Sequence, residues 1–531
     1  MTKLALLSLI GLACWCSAVS AAEVKSAKPN ILLILADDMG YGDSGCYGGK
    51  LAPTPAIDSL AREGVRCTDG YVTAPVCAPS RCGIMTGAYN QRFGIQWNED
   101  RAKYNVGPHK LLPQALKSAG YVTGHIGKWN VGADITGCFD ETYDVIDWEA
   151  DYFPDQTGHY VGLDSPSEHA SSKVQGVWGP KRASDEYLTD RIGRHAVEFI
   201  EKHQAQPFFL YLAFNAVHSP WSAKTAARER FAHLKDPPLN FYAAMIASLD
   251  ENIACVLAKL KAAGLEQNTL VVFTSDNGPA MGSPNIKVWP ENWPKKILVG
   301  SAGPLRGYKA QFFEGGIREP FIVRWPATLK AGDTYRQPVS TMDLYATFCA
   351  AAGAPVPAGT KLDGVNLLPY LSGEKAGVPH EILFWKNGDQ GAVRQGDWKL
   401  VISALQPKLQ LFNLAADIGE QNDLSGEQPK WVEKLHRAWL DWSTPLPPRA
   451  NPQSAQAGKG KAATAGAKLP QDRAALFDQK DQNHDGKLSL DEFLANQTDP
   501  ETAKKRFAQW DTDQDGFLSR AEFINMGGKS K

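Results

Sequence analysis

Two apolar segments, far apart in the chain, each end in polar side chains, and this arrangement constrains the fold more than any other feature. Residues 30–36 and 270–274 have the length and branched composition of buried parallel strands. Ligands of open α/β sheets bind where strands end, so the side chains that follow are expected to form one oxygen-rich cluster. Such a cluster suits Ca²⁺ or Mg²⁺, although acids after a strand can also simply open a solvated turn. The cluster consists of Asp37, Asp38, Asp276 and Asn277.

The overall charge of the chain excludes some classes of function. Its 531 residues include 56 Lys and Arg against 58 Asp and Glu. This near balance argues against a nucleic-acid-binding protein or a basic protein of membrane surfaces. The length allows a large α/β domain with further domains beside it.

The N-terminus has the pattern of a signal peptide over residues 1–22. Lys3 precedes an apolar run over residues 4–19, and the small residues 20–22 offer a cleavage site. The residues before Cys14 form a weak lipidation box, which disfavours a lipid anchor. No later run reaches the roughly 18 apolar residues of a membrane span. We therefore expect a secreted or periplasmic protein.

The C-terminal part contains a linker and a duplicated loop. Residues 449–470 are mostly small or polar and are predicted to form a flexible linker. Within residues 471–526, the loops DQNHDGKLSLDE and DTDQDGFLSRAE start 30 residues apart. Two complete loops in register favour a calcium-binding EF-hand pair over a polar, turn-rich tail. The predicted ligands are Asp481, Asn483, Asp485, Lys487 and Glu492, then Asp511, Asp513, Asp515, Phe517 and Glu522, with Lys487 and Phe517 contributing backbone carbonyls.

The segment around Cys77 carries the most specific motif. From Cys77 to Gly87 the sequence CAPSRCGIMTG fits C-x-P-S-R-x-x-x-x-T-G at every position. The chain therefore resembles the formylglycine-dependent (type I, arylsulfatase-like) sulfatases of the alkaline phosphatase superfamily. In that family the cysteine is oxidised to formylglycine by a formylglycine-generating or anaerobic sulfatase-maturating enzyme. The hydrated aldehyde attacks sulfur with one hydroxyl and expels sulfate with the other.

Further segments resemble the same family, in the same order, between about residues 30 and 445. They are residues 37–43, 120–129, 215–220, 276–279, 304–309, 314–320 and 392–400. The resemblance implies an alkaline-phosphatase-like central mixed sheet flanked by helices over residues 27–345. It also implies a small antiparallel α+β subdomain over residues 346–448, ahead of an all-α EF-hand pair.

The resemblance also implies a role for each matched residue. Asp37, Asp38, Asp276 and Asn277, with the modified Cys77, would hold a catalytic Ca²⁺ or Mg²⁺. Asp276 would accept the proton of the attacking hydroxyl. The remaining roles fall to Arg81 at the diol oxygens, Lys128 and Lys309 at the sulfate, and His218 as proton donor to the leaving group.

One position departs from the family pattern. The family usually has histidine after the Lys-Trp pair, where this chain has Asn130. An asparagine forms hydrogen bonds but cannot carry a proton at working pH. Three interpretations are open. Asn130 keeps only the orienting role of the usual histidine, or His125 takes over its proton transfer. Alternatively, the enzyme acts on a substrate whose leaving step differs. We favour the first interpretation, which predicts that Asn130→His preserves or raises turnover on an activated aryl sulfate.

The expected substrate is a sulfated carbohydrate or an aryl sulfate. Two inserts, residues 132–180 and 281–303, are expected to vary between relatives, and Trp289 and Trp293 of the second can stack on sugar rings or pack locally. Export together with a calcium-binding tail suits a sulfated polysaccharide outside the cell. One alternative is a formylglycine-dependent phosphonate or phosphate ester hydrolase. Another is a calcium-dependent binding protein whose catalytic body has decayed.

Overall fold

The computed structural model describes two compact units, one up to residue 452 and one from residue 453. The described residues are 28–147, 152–153, 186–282, 296–403, 409–451, 477, 480–481, 483, 485–494, 500–511, 513–520 and 522–523. The predicted signal peptide with Cys14, most of the predicted linker, and Trp289 and Trp293 lie outside them.

The first unit is built on a mixed sheet of eight strands in the order β11-β2-β10-β7-β1-β6-β4-β5. The central strand β1 pairs in parallel with β6 and β7, whereas β10 is antiparallel to both of its neighbours. The strands of this unit are β1 (Asn30–Ala36), β2 (Val65–Cys67), β3 (Gly70–Tyr71), β4 (Val122–Lys128), β5 (Glu141–Ile146), β6 (Phe208–Ala213), β7 (Thr269–Ser275), β8 (Met281–Gly282), β9 (Ile297–Leu298), β10 (Phe321–Arg324), β11 (Asp333–Tyr335), β12 (Val339–Ser340), β13 (Ile382–Asn387), β14 (Gln390–Gln395), β15 (Trp398–Ile402) and β16 (Leu409–Asn413).

Helices cover both faces of this sheet, which explains why its central strands are buried throughout and mostly apolar. The α-helices are α1 (Pro55–Glu63), α2 (Cys77–Thr86), α3 (Leu112–Ser118), α4 (Leu188–His203), α5 (Thr225–Glu229), α6 (Pro237–Ala262), α7 (Glu314–Ile317), α8 (Asp343–Ala352), α9 (Leu368–Leu371) and α10 (Pro429–Ser443).

The strand β1 shows how one segment serves two hydrophobic cores. Leu32 and Ile34 belong to the core on the face of α4 and α6. Ile31, Leu33 and Leu35 belong to the core on the face of α3 and α8. Successive side chains of a strand point to opposite faces, so both sets must be apolar. The α/β fold class expected from the sequence is confirmed.

Helix α6 is long and apolar enough to cross a membrane by length and composition. However, 72% of its most apolar 18-residue stretch is buried inside the fold, as is usual for the core helix of a globular domain. Leu249, Ile253 and Val256 of this helix belong to the core beside α4. Its apolar composition is therefore explained by packing.

The strands β13–β16 form a separate antiparallel sheet, against which α10 packs. This arrangement is the small C-terminal α+β subdomain that the sequence resemblance implies. After α10, the residues Arg449–Asn451 at the start of the predicted linker are tied to the domain of the eight-stranded sheet. Asp100 accepts hydrogen bonds from the Arg449 guanidinium and from the backbone N–H of Asn451.

The second unit has the EF-hand pattern of helices around two paired loops. Its described elements are β17 (Lys487–Ser489), α11 (Leu490–Leu494), α12 (Pro500–Trp510) and β18 (Phe517–Ser519), and β17 pairs antiparallel with β18. Both loop glycines, Gly486 and Gly516, have positive φ, which permits the sharp turn in each loop. Its core contains the four flanking phenylalanines, which are Phe477, Phe493, Phe507 and Phe523.

Candidate active site

The polar residues that follow β1 and β7 lie side by side because these two strands are parallel neighbours. The backbone N–H of Asp38 donates to Asp276 Oδ1 at 3.2 Å, and Asn277 Nδ2 donates to Asp38 Oδ1 at 2.7 Å. Asp37 completes the group, and all four side chains are buried. The oxygen-rich cluster predicted from the two strand ends is therefore present.

Cys77 is the first residue of α2, and its side chain points into this cluster. Its Sγ lies 3.8 Å from Asp37 Oδ1 and 3.8 Å from Lys128 Nζ. The positive end of a helix dipole favours a nearby anion, and Cys77 stands at that end of α2. Residue 77 thus lies between carboxylates, an ammonium group and the positive end of a helix.

Three cationic side chains pair with the carboxylates. Lys128 Nζ lies 2.5 Å from Asp37 Oδ2, and Lys309 Nζ lies 2.6 Å from Asp38 Oδ1. The Arg81 guanidinium contacts Asp276 Oδ2 at 2.7 Å and donates to the Lys128 carbonyl at 2.7 Å. A buried carboxylate cluster of this density requires such compensation, because unpaired buried charges are costly.

The pairing shifts the pKa values of the site. Burial acts to raise the pKa of Asp37, but the combined charges of Lys128, His218 and Arg81 outweigh it, so the pKa lies below the usual range. Burial acts to lower the pKa of Lys128, but Asp37 together with Cys77 and Asp276 raises it above normal. Burial also raises the pKa of the Cys77 thiol to about 12. An unmodified Cys77 is therefore a neutral thiol and a weak nucleophile.

His218 and Lys309 are the partly exposed members of the site. Their side chains are 13% and 17% exposed, whereas those of Asp37 and Asp38 are at most 2% exposed. His218 Nε2 lies 3.5 Å from Asp38 Oδ2. These two residues therefore lie on the side of the site that is open to solvent.

Asn130, in the position of the usual histidine, is buried and has a left-handed backbone with φ 48°. Its Nδ2 donates to the carbonyl oxygen of Asp147. His125 lies instead in an aromatic cluster with Trp129 and Tyr211, and burial lowers its pKa to about 3. The structure therefore gives no support to the interpretation in which His125 replaces the missing proton carrier.

Two residues, Asn98 and Glu319, received no role from the sequence. Asn98 Oδ1 accepts a hydrogen bond of 2.9 Å from the backbone N–H of Ala78, next to Cys77. Glu319 is fully buried, and neither of its carboxylate oxygens has a hydrogen-bond partner among the described residues. Nothing in the local pattern around Asn98 indicates a contact across 20 residues. Glu319 lies in the matched segment 314–320, but that match assigned it no role.

The chemistry of the cluster fits a hard divalent cation. Asp38 Oδ2 and Asn277 Oδ1 are buried and lack hydrogen-bond partners in the part of the chain that the structure describes. Ligand atoms of Asp37, Asp38, Cys77 and His218 lie within 4.8 Å of one another. Carboxylate and amide oxygens are the ligands that Ca²⁺ and Mg²⁺ prefer, and such a cation would satisfy these two buried atoms.

The loops of the second unit are arranged alike. Gly486 donates its N–H to Asp481 Oδ2 at 2.9 Å, and Gly516 donates to Asp511 Oδ2 at 3.1 Å. In the second loop, one ligand atom from each acid lies within 4.8 Å of the others, in a group formed by Asp511, Asp513 and Glu522. In the first loop, Asp485 donates its N–H to Asp481 and Asn483, and Ser489 donates to Glu492.

Comparisons with known proteins agree with this geometry. The profile of the Sulfatase family matches residues 29–354, and that of the EF hand matches residues 473–495 and 503–526. The chain is 30% identical to the mouse steryl-sulfatase, over 78% of this chain and 80% of the relative. It is also 30% identical to the N-acetylgalactosamine-6-O-sulfatase of Bacteroides thetaiotaomicron, over 77% and 92% of the two chains.

A solved structure resembles most of the chain. The crystal structure of Ps i-CgsB in complex with k-i-k-neocarrahexaose superposes with a TM-score of 0.70 at 32% identity. The match covers 82% of this chain and 98% of that one. With an intact Cys77 motif beside the predicted acidic cluster, the chain is an enzyme that belongs to the sulfatase family.

Proposed function

We propose that this sulfatase removes sulfate from a sulfated carbohydrate, using a formylglycine made from Cys77 beside a bound divalent cation. The observation that carries the proposal is the position of Cys77 at the start of α2, 3.8 Å from both Asp37 and Lys128. A nucleophile here faces carboxylates, an ammonium group and a helix N-terminus at once. That combination suits attack on a sulfate ester.

Each residue around Cys77 has a separate role in the proposed reaction. When present, the cation and the hydrated formylglycine supply the nucleophile and neutralise one sulfate oxygen. Lys128 and Lys309 hold the sulfate group, because their ammonium groups converge on the side of Asp37 and Asp38 next to Cys77. Arg81 fixes the orientation of Asp276, which accepts the proton of the attacking hydroxyl.

His218 donates a proton to the leaving group. It is partly exposed and lies 3.5 Å from Asp38, on the open side of the site. Imidazole is suited to donate a proton to an alkoxide near neutral pH. Its companion on this side, Lys309, is held by Asp38 at 2.6 Å and can bind a sulfate oxygen.

A carbohydrate is the substrate class that the relatives favour. One relative is named for N-acetylgalactosamine 6-O-sulfate, and Ps i-CgsB was crystallised with a carrahexaose. The signal-peptide pattern of residues 1–22 supports an exported enzyme, which meets such polymers outside the cell. At the calcium concentrations found there, the two loops of the EF-hand pair would be occupied even with weak affinity.

The decisive experiment is mass spectrometry of the tryptic peptide from Cys67 to Arg81. We expect formylglycine at residue 77 after expression with a maturation enzyme, together with release of sulfate from sulfated disaccharides. The Cys77→Ala variant is the control and should fold but release none. A peptide that stays fully cysteine in an active preparation would contradict the formylglycine account.

Paired substrates separate this proposal from its alternative. The same lysines can hold any tetrahedral oxyanion, so a phosphonate or phosphate ester is chemically possible. We expect the matured enzyme to cleave aryl sulfates and sulfated disaccharides faster than the matching phosphodiesters. The reverse order of rates would favour the ester hydrolase. A matured protein that cleaves neither class but binds sulfated sugar in calcium would favour a binding protein.

A further inference from the structure

Helix α2 begins at Cys77, the proposed nucleophile, but its own sequence does little to hold that end in place. The residue before the helix is Val76, which has no side-chain oxygen to accept an N–H of the first turn. Gly83 lies in the interior of the helix and lowers its intrinsic stability. The first turn of α2 therefore depends on contacts from other parts of the fold.

Asn98, at the start of the 3₁₀ helix Asn98–Lys103, makes such a contact. Its Oδ1 accepts a hydrogen bond of 2.9 Å from the N–H of Ala78, the second residue of α2. A capping asparagine at the start of a helix accepts the same kind of bond from its own helix, whereas Asn98 supplies it from 20 residues away. Asn98 therefore caps α2 from outside the helix.

This hydrogen bond acts on the backbone of Cys77 itself. The N–H of Ala78 and the carbonyl group of Cys77 belong to one planar peptide group, which also contains the Cα of Cys77. Together with the helix that follows, a fixed N–H sets the direction in which the Cys77 side chain leaves the backbone. Cys77 Sγ lies 3.8 Å from Asp37 Oδ1 and 3.8 Å from Lys128 Nζ, so this direction leads into the site.

The segment that carries Asn98 is itself held by a buried carboxylate. Asp100 Oδ2 accepts hydrogen bonds from the N–H groups of Gln96 and Trp97, at 2.9 and 2.8 Å. The same carboxylate binds the guanidinium of Arg449 and is fully buried. Asn98 thus contacts α2 from a rigid support, which the precise positioning of a reacting group requires.

Removal of the amide oxygen would leave the N–H of Ala78, a fully buried residue, without this partner. A buried N–H without a hydrogen bond is costly, so the first turn is expected to shift until this group finds another acceptor. Such a shift moves the atom that attacks sulfur, and a displacement of about 1 Å can lower a rate roughly 100-fold.

We propose that Asn98 is a positioning residue of this sulfatase: its amide oxygen fixes the first turn of α2, so that residue 77 points at the sulfur atom of the substrate. The inference rests on the proposed function, in which residue 77 is the nucleophile. Because Asn98 acts through the backbone of Ala78, its contribution is the same for every sulfate ester, whatever alcohol leaves.

The test compares two substitutions of similar size in the matured, full-length enzyme. Asn98→Asp keeps an acceptor oxygen for the N–H of Ala78, whereas Asn98→Leu removes it. We expect Asn98→Leu to lower kcat per molecule of formylglycine by about 10- to 100-fold, with KM changed less than about threefold. The loss should be equal on 4-nitrophenyl sulfate and on a sulfated disaccharide. Asn98→Asp should keep kcat within about threefold of the wild type, because a carboxylate caps a helix as well as an amide does.

Asn366 provides the matched control. Its Oδ1 accepts a hydrogen bond of 3.0 Å from the N–H of Leu368, the first residue of α9, and its side chain is also half-buried. Asn366→Leu thus removes a bond of the same kind, and we expect a similar loss of thermal stability with kcat unchanged. A merely structural role of Asn98 predicts that the two leucine variants behave alike.

Mass spectrometry of the peptide that carries residue 77 gives the formylglycine content of each variant, so incomplete maturation is not counted as slow turnover. An unchanged kcat for Asn98→Leu, or equal losses for Asn98→Leu and Asn98→Asp, would overturn the inference. A loss confined to the disaccharide would make Asn98 a contact of the sugar and would also overturn it. Where Asn98→Leu does not fold, Asn98→Asp decides alone: retained kcat supports the role of the acceptor oxygen, and a loss of about tenfold or more contradicts it. A matured wild type that releases sulfate from neither ester would instead reject the proposed function.

Discussion

Asn130 shows how a single residue is adapted to its backbone as well as to its chemistry. Its φ of 48° is a conformation that asparagine and glycine adopt more readily than other residues. Its amide also donates to the Asp147 carbonyl, a bond that histidine would have to replace. The expectation for Asn130→His therefore depends on whether the imidazole can keep this contact.

Two substitutions of Asn130 separate the backbone from the hydrogen bond. Asn130→Gly and Asn130→Ala both lose the bond to Asp147, but alanine is strained at positive φ. We expect Asn130→Ala to be less stable than Asn130→Gly by about 1 kcal/mol in urea unfolding. Equal stability of the two variants would mean that the backbone relaxes at this position.

At the scale of single residues, the sequence indicated the acidic cluster but not its surroundings. Asp37 and Asp276 were predictable because each follows a buried run, and parallel strands end at one edge. The contact of Asn98 was not predictable, because it depends on where two loops meet in space. The direction of His125 also required the structure, since a register shift interrupts the alternation of β4 after Ile126.

At the scale of elements, helix α6 supplies the cap of helix α1. Asp250 of α6 accepts hydrogen bonds from the N–H groups of Ala56 and Ile57, which have no partner inside α1. Burial raises the pKa of Asp250 to about 6, against the effect of these two donors. The contact between the two helices is therefore sensitive to pH.

The sign of this effect follows from the raised pKa. The folded state binds a proton more tightly at Asp250 than the unfolded state, so this stabilisation is complete below about pH 4. It is lost as the pH rises through about 6, by roughly 3 kcal/mol for the shift from 3.8.

We expect the stability of the wild type relative to Asp250→Asn to fall by this amount between about pH 4 and pH 7. Urea unfolding of both proteins at several pH values measures it. Glu251→Gln, at an exposed neighbour on the same helix, should show no such trend. A constant difference between the wild type and Asp250→Asn would contradict the prediction.

The two EF-hand loops differ in one contact. Lys487, at the seventh position of the first loop, places its Nζ 2.9 Å from Asp515 Oδ2 of the second loop. The equivalent position of the second loop is Phe517, so the reverse contact is impossible. The ammonium group thus competes with calcium for a ligand of the second loop.

We expect Lys487→Gln to strengthen calcium binding at one of the two sites by about two- to fivefold, as for an exposed ion pair. Calorimetric titration of the full-length protein resolves the two sites. Lys505→Gln, the same charge change at an exposed position of α12, is the control. Equal effects of the two variants would mean that only net charge matters.

At the scale of the whole molecule, buried ion pairs join the catalytic domain to its C-terminal subdomain. Lys399 of β15 lies 2.7 Å from Glu314 of α7 and 2.9 Å from Glu420, and all three side chains are fully buried. Burial acts to raise the pKa of Glu314, but Lys399, Arg318 and Arg394 together hold it down at about 2. The matched segments near Glu314 and Lys399 implied the two domains, but not this contact across 85 residues.

Two truncations test where the catalytic unit ends. A chain that stops at residue 452 keeps the bonds of Asp100 to Arg449 and Asn451, and we expect it to retain turnover and thermal stability within error. A chain that stops at 448 leaves the Asp100 carboxylate buried without its cation. It should lose about 3 kcal/mol of unfolding free energy. Equal stability of the two chains would show that this anchor contributes nothing.

The burial of Cys77 sets a time limit on the oxidation that we propose for this residue. The thiol is 2% exposed in the folded protein, so an enzyme that oxidises it must act before the fold closes. Asp276, which helps to enclose the site, lies 199 residues later in the chain. At about 5–20 residues per second, a ribosome needs roughly 10–40 seconds to synthesise that stretch. The order of the chain thus leaves residue 77 without the enclosing Asp276 segment for roughly 10–40 seconds of synthesis.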